Sequence, residues 1–313
     1  FQITAKEDIV TADGTIRAYA RDVVSEITTD ENGYAETEPL YLGEYEIREI
    51  KAPDGYVLNN EPKDVELTYA GQEFEVRDTV NTAFENEYQS VRISLSKVME
   101  NDKLFGIYDN DYYTSVRFGL FAAEDITAAD GTVIPADGLL SEVSLDENMT
   151  AKFDVQIPFG RYYVQEIATD EHYVLNGEKY LVNFEYMGQD IQNVDIDCGQ
   201  FVNLLKRGRI EGHKTDDKSE PLENAVFGLF TADCVKFSRD TAIMTAASDE
   251  NGCFEFTDVP FGKYIVREIE SPRGYILSDK EYAVSISDDG EVIEITAENK
   301  PITVEISKRD VYG

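Results

Sequence analysis

Tryptophan is absent from this 313-residue chain, cysteine occurs three times, histidine twice, and only 28 basic residues face 63 acidic ones. Each shortage excludes something. A formal net charge of −35 repels both nucleic-acid phosphates and anionic lipid headgroups, so neither is expected as a partner. The plainer reading of that charge is a solvated acidic surface. Cys198, Cys234 and Cys253 are odd in number and unrelated in position, which implies no disulfide framework. Cys198-Gly199-Gln200 holds the residue pair of an internal thioester, but a small buried thiol is the commoner role for such a cysteine. His172 and His213 sit in different contexts and form no catalytic pair, and no cluster has metal-ligand spacing. Neither metal nor cofactor is therefore expected. No run of 18 apolar residues occurs, so no membrane insertion is expected in this segment, and no signal peptide or anchor is visible. The chain opens and closes in mid-pattern and reads as a segment of something longer.

What the chain does have is repetition. Ile47-Arg-Glu-Ile-Lys-Ala-Pro-Asp-Gly-Tyr56 returns as Val164-Gln-Glu-Ile-Ala-Thr-Asp-Glu-His-Tyr173 and again as Val266-Arg-Glu-Ile-Glu-Ser-Pro-Arg-Gly-Tyr275. Each copy alternates apolar and polar residues into a turn, the pattern of a strand with one face in a core. In the third copy Ile265, Arg267 and Ile269 share one face, and Val266 and Glu268 the other. Glu49, Glu166 and Glu268 thus occupy one place in three copies, 117 residues apart (49 to 166) and then 102 apart (166 to 268). That period suits a β-sandwich domain and is too long for a solenoid repeat.

The rest of each copy keeps the same order. Phe1-Gln-Ile-Thr-Ala-Lys-Glu-Asp-Ile-Val-Thr-Ala-Asp-Gly-Thr-Ile16 matches Phe118 to Val133 without a gap, and the third copy begins Phe227-Gly-Leu-Phe230. Ahead of this strand lies another, Val91-Arg-Ile-Ser-Leu-Ser-Lys97 in copy two and Ile210-Glu-Gly-His-Lys214 in copy three; copy one has none ahead of Phe1. Asp30-Glu-Asn-Gly33, Asp146-Glu-Asn148 and Asp249-Glu-Asn-Gly252 read as hairpin turns. A calcium loop of the EF-hand kind is disfavoured, since its spacing and bidentate Glu are missing. The copies finish on Asn86, Asn203 and Asn299. Many short strands with frequent turn signals, and no helical period, predict tandem antiparallel β-sandwiches. The expected units are residues 1–88, 89–205 and 209–300, with 205–208 as a joint and 301–313 as the first strand of a further repeat. Glu100 to Tyr113 is an insertion in copy two, expected as a surface loop.

Three residue types recur at fixed places: Lys ending the first strand, Glu before the turn, Asn at the end. The last two are 37 residues apart in copies one (49 to 86) and two (166 to 203), and 31 in copy three (268 to 299). Together with Phe-Gly-Leu-Phe and Glu-x-x-x-Pro-x-Gly-Tyr, these motifs resemble the Cna B-type repeats of collagen-binding surface adhesins and the SpaA-type pilin domains of Gram-positive bacteria. Copy two departs from the pattern at its turn, where Asp170 and His172 replace Pro and Gly. The resemblance implies an all-β, immunoglobulin-like (prealbumin-like) sandwich in which Lys and Asn form an intramolecular isopeptide bond assisted by Glu. It assigns Lys97, Glu166 and Asn203 to one cross-link and Lys214, Glu268 and Asn299 to another. Burial accounts for the residue types: it lowers the lysine pKa toward the nucleophilic neutral amine and raises that of the carboxylic acid. The competing reading is a set of buried polar groups satisfied by ordinary hydrogen bonds.

Such an array is expected to be a stalk of a cell-wall-anchored surface protein, anchored and meeting a host ligand through other parts. It would be no enzyme beyond one self-cross-linking turnover. The alternative is a module that itself grips a host protein or glycan. The lysine motif of sortase-polymerised pilins is not evident. Copy one retains Glu49 and Asn86 without a lysine strand, and the tail Ile302–Lys308 is a lysine strand without a domain. Two readings of this mismatch stand: strand complementation between neighbouring copies of the chain, bringing Lys308 to Asn86 and Glu49, or a loose tail.

Overall fold

The computed structural model describes residues 1–69, 71, 81–108, 112–304 and 306–308. Among these there is no α-helix, and no helix is long and apolar enough to cross a membrane. The strands form wherever the period-two pattern runs, and the alternation decides which face is buried. In Ser90–Met99, residues 91, 93, 95, 97 and 99 point inward. In Gly262–Glu270, Tyr264, Val266 and Glu268 are the buried ones, as their alternation requires.

The same sheet recurs three times. In the second unit the strands Leu139–Ser144, Arg117–Ala122, Gly160–Ala168 and Tyr180–Phe184 lie side by side in that order. In the third, Met244–Ala247, Val226–Thr231, Gly262–Glu270 and Glu281–Ile286 repeat the order. In the first, Val23–Glu26, Gln2–Ala5, Gly43–Arg48 and Lys63–Leu67 repeat it again. The second and third units add an opposing three-stranded sheet: Thr150–Val155, Ser90–Met99 and Asn193–Asn203 in one, Cys253–Pro260, Arg207–Asp216 and Val292–Asn299 in the other. Between the layers lie separate cores, centred on Phe118, Phe153, Tyr162 and Phe201 in the second unit and on Phe227, Phe254, Phe256 and Val266 in the third. Much of the closing segment of copy one, residues 70 and 72–80, lies outside the described residues.

One pairing departs from the expected antiparallel pattern, and it brings the recurring lysine and asparagine together. First and last strands of the second and third units run parallel. In the register Lys97 lies opposite Phe201 and Asn203 opposite Met99, while Lys214 lies opposite Ala297 and Asn299 opposite Asp216. In each unit the asparagine is therefore two residues further along than the lysine, and since side-chain direction alternates, both face the core diagonally. A one-residue slip would turn one of them out to solvent.

The links between units are built alike. The tyrosine ending each repeated motif bridges the residue two beyond the asparagine: Tyr56 to Tyr88, Tyr173 to Leu205 and Tyr275 to Pro301. The second link differs from expectation in two ways. Arg207 and Gly208, expected in the joint, open the first strand of the third unit. Within the insertion after Met99, expected as a surface loop, Glu100, Asp102 and Phe105 are part of the link instead. The Arg207 guanidinium donates to Asp102 at 3.0 Å and to Glu100 at 2.9 Å, and the Phe105 ring meets Tyr264 edge-on at 5.7 Å and packs against both cores. Ile107 is buried behind it. An arginine facing Glu100 and Asp102 was hidden in sequence because these partners lie about a hundred positions earlier. Replacing Phe105 by Ala should destabilise the third unit by about 1–3 kcal/mol, at the low end for a partly buried ring. The same change should widen the angular spread between the second and third units in small-angle scattering. An unchanged profile would mean that the insertion does not brace the link.

Candidate functional site

In the second unit the three residues meet inside the sandwich. Lys97, Glu166 and Asn203 are each no more than 3% exposed. The Lys97 Nζ donates to Asn203 Oδ1 at 2.6 Å and lies 2.8 Å from Glu166 Oε1. Asn203 Nδ2 reaches both Glu166 oxygens at 2.9 Å and Thr169 Oγ1 at 2.8 Å. The Phe118 ring lies 5.5 Å from the ammonium. Burial pushes the Lys97 amine below its ordinary value, and the adjoining Glu166 partly restores it. The amide carbonyl thus sits against the buried Lys97 amine, with the Glu166 carboxyl group touching that amine and the amide nitrogen.

The third unit buries the same set in a different arrangement. Lys214, Glu268 and Asn299 are all within the core. Asn299 Nδ2 donates to Glu268 Oε1 at 2.9 Å, but Lys214 Nζ turns to backbone carbonyls, Thr215 at 2.9 Å and Ala297 at 3.5 Å. Asn299 Oδ1 is a buried polar side-chain atom without a hydrogen-bond partner among the described residues. Desolvation lowers the Lys214 pKa and raises that of Glu268; the Ser278 N–H and Asn299 partly offset the latter.

The first unit brings together two members. Asn86 Nδ2 donates to Glu49 Oε2 at 2.6 Å, and Glu49 is 6% exposed. Lys308 is not there: it is exposed, as are Ile302, Val304 and Ile306, and residues 302–304 and 306–308 form no strand within this chain. Glu305 and residues 309–313 lie outside the described residues.

Sequence reading missed the residue that holds the glutamate. Ten positions after it, a backbone N–H donates to Oε2: Asn59 to Glu49 at 2.7 Å, Asn176 to Glu166 at 2.8 Å and Ser278 to Glu268 at 3.0 Å. Asn59 and Asn176 also clip the chain one residue before Asn86 and Asn203, through Nδ2 to the carbonyls of Glu85 and Val202. The signal was present as Val57-Leu-Asn59, Val174-Leu-Asn176 and Ile276-Leu-Ser278. The departure at the second turn is absorbed locally. Gly55 and Gly274 adopt φ of +90° and +94°, whereas His172 stays out of that region and Asp170 Oδ1 caps its N–H. All three turns still close with the tyrosine N–H on the residue three back, at 3.1 Å.

Other sequence candidates resolve into structural roles. Asp30, Asp146 and Asp249 spend Oδ1 on two backbone N–H groups of their own turns. No group of metal-binding residues exists among the described residues. Burial raises the Cys198 thiol to about 11, so it stays protonated at neutral pH.

Comparison with known proteins identifies the fold family. The SpaA prealbumin-like fold domain matches residues 1–82 and 208–301. The chain belongs to that family. It is 29% identical over 134 residues to the trypsin-resistant surface T6 protein of Streptococcus pyogenes serotype M6, covering 42% of this chain and 24% of that protein. It is 27% identical over 179 residues to a collagen adhesin of Staphylococcus aureus, covering 51% of this chain and 15% of that protein. The chain therefore spans a quarter or less of these relatives. Among solved structures, the Bacillus anthracis TIE protein superposes with a TM-score of 0.65 at 22% identity, over 96% of this chain and 47% of that one. As a SpaA-type array, the chain has stalk-type domains like those of Gram-positive surface pilins and adhesins.

The burial of Lys97 gives a testable energetic consequence. In chains whose Lys97 is still a free amine, Glu166→Ala leaves that amine without its partner in the core and should cost about 3–5 kcal/mol. With Lys97 already replaced by Met, the same change should cost far less, and this double-mutant cycle in urea measures the coupling. Equal costs in both backgrounds would show that Glu166 does not act through Lys97.

Proposed function

We propose that the chain is a stalk segment whose second and third units cross-link themselves, Lys97 to Asn203 and Lys214 to Asn299. The observation that carries this reading is the contact of Lys97 Nζ with Asn203 Oδ1, with Glu166 touching Nζ and Asn203 Nδ2, inside the core. Glu166 and Glu268 are the acid–base groups. The lysine, once neutral, attacks Cγ of the asparagine and forms the new C–N bond. The carboxyl group, lying against the amine and Nδ2, carries the lysine proton to Nδ2; the old C–N bond breaks and ammonia leaves. Nothing is oxidised, no metal or cofactor is called for, and each unit turns over once, which distinguishes it from an enzyme acting on external substrate.

Each product would close a long loop between strands at opposite ends of the unit, 106 residues in the second and 85 in the third (214 to 299). By the chain-entropy argument, loops of that order are worth about 4–5 kcal/mol. That is a large share of an ordinary domain stability of about 5–15 kcal/mol. Because first and last strands are the bonded ones, tension entering at one strand passes to the other without unfolding the sandwich. This suits a spacer on a Gram-positive cell surface, with anchor and host-ligand sites in other parts of the full protein. A gripping module would call for a deep groove or an exposed aromatic cluster. The broad depression on the third unit is open, and Glu211, Asp249, Glu255 and Glu294 stand among its lining beside Phe254 and Ile295. At the first unit we infer strand complementation: Glu49 and Asn86, already hydrogen-bonded, receive the lysine strand of a neighbouring copy. A Lys308→Ala variant should then lose any intermolecular species; dimers that persist in it would contradict the pairing.

Intact mass should fall below the sequence mass by one ammonia per bond, about 17 Da each. Glu268→Ala should fold yet retain the third unit's ammonia, and loss at the normal rate would leave Glu268 only a packing role. For the third unit the rate should be bell-shaped in pH. On the acid side Lys214 becomes protonated while Glu268 is already neutral. On the alkaline side Glu268 ionises while Lys214 is already neutral. A rate rising steadily with pH would mean that only lysine ionisation matters.

A further inference from the structure

We propose that Thr169 is a positioning residue for the second unit's cross-link, holding the Asn203 amide so that its carbonyl faces Lys97 and its leaving nitrogen faces Glu166. This rests on the cross-linking reading above and adds a fourth member to that site. Thr169 lies three residues after Glu166, where the strand Gly160–Ala168 has just ended. From there its Oγ1 accepts one N–H of Asn203 at 2.8 Å, while the Glu166 carboxylate takes the other. With both hydrogens engaged, the nitrogen is fixed on the side away from the amine, and Oδ1 is left pointing at Lys97 Nζ, 2.6 Å away.

The third unit shows the same site without this contact. The residue three beyond Glu268 is Ser271, whose hydroxyl donates instead to the Tyr275 carbonyl at 3.2 Å. Asn299 Nδ2 is held by Glu268 Oε1 alone, Asn299 Oδ1 has no partner among the described residues, and Lys214 Nζ has turned to the Thr215 carbonyl. The first unit has Ala52 at this place and no hydroxyl to offer. Hydroxyl contact and aligned lysine are thus found together in the second unit and are both missing from the third.

The role comes from what the carboxyl group must do during the exchange. A glutamate that accepts the lysine proton and passes it on cannot remain a fixed hydrogen-bond acceptor for the amide throughout. Once Glu166 carries a proton, its preference for the NH2 side over the carbonyl side weakens, and the amide is freer to rotate. A hydroxyl that does not titrate keeps accepting an N–H as Nδ2 changes from a planar amide nitrogen to a pyramidal amine, takes up the proton that began on Lys97 and departs as ammonia.

The test is a time course of cross-linking during cell-free synthesis of the full chain, with aliquots denatured, digested and the branched Lys97–Asn203 peptide counted by mass spectrometry. Thr169→Val keeps the shape and removes the hydroxyl; Thr169→Ser keeps the hydroxyl. Val should slow the second unit's bond on the order of 10–100-fold, Ser should restore it to within about threefold, and the third unit's bond, read in the same samples, should keep its rate. A Val variant as fast as the parent would overturn the role of Thr169, and a Ser variant as slow as Val would show that a hydroxyl at this place does not restore the rate, overturning it equally. A parent chain that forms no Lys97–Asn203 peptide would instead remove the cross-linking reading itself, and this role with it.

Discussion

The structure depends on ionisable groups placed where water cannot reach them. A lysine and a glutamate inside a sandwich core cost free energy through desolvation, and the cost is tolerable only if each satisfies the other or sheds its charge. Here both compensations operate. In the second unit Lys97, Glu166 and Asn203 saturate one another; in the third, desolvation drives Lys214 and Glu268 toward their neutral forms. The same environment that makes the groups expensive as ions makes them reactive as an amine and an acid. Structural cost and chemical capacity have one origin.

Sheet register converts that chemistry into geometry. The parallel pairing of first and last strands sets asparagine diagonally from lysine in both complete sandwiches. The glutamate arrives from the opposing sheet, where alternation puts it on the buried side beside Val164 or Val266. Two layers are needed to assemble three groups. The link at Arg207 and Phe105 then joins the second unit to the third with ion pairs and a ring contact.

A good part of this was legible in sequence, for a definable reason. A period of two is a local signal, so Val91, Ile93, Leu95 and Lys97 declare one inward face without knowledge of the fold, and threefold recurrence singles out Glu49, Glu166 and Glu268. The parallel pairing was not legible, because no local pattern reports the direction of a partner a hundred residues away. For the same reason the insertion looked like a loose loop: Asp102 and Phe105 gain meaning only from Arg207 and Tyr264. Asn176 and Asn59 were visible as a recurring Val-Leu-Asn triplet, yet their use of a backbone N–H to hold the glutamate is a property of the folded turn. Thr169 lacks recurrence altogether, being Ala52 in one copy and Ser271 in another, so comparison of the copies hides it.

The central claim is that the two complete sandwiches are closed by covalent bonds lying directly in the path of tension. Single-molecule stretching of the chain between handles at its two ends tests this most directly, since a cross-linked loop adds no length when pulled. The account predicts no extension event from residues 97–203 or 214–299 at any force short of bond rupture. Events of roughly 0.35 nm per residue over loops of about 100 residues would contradict it.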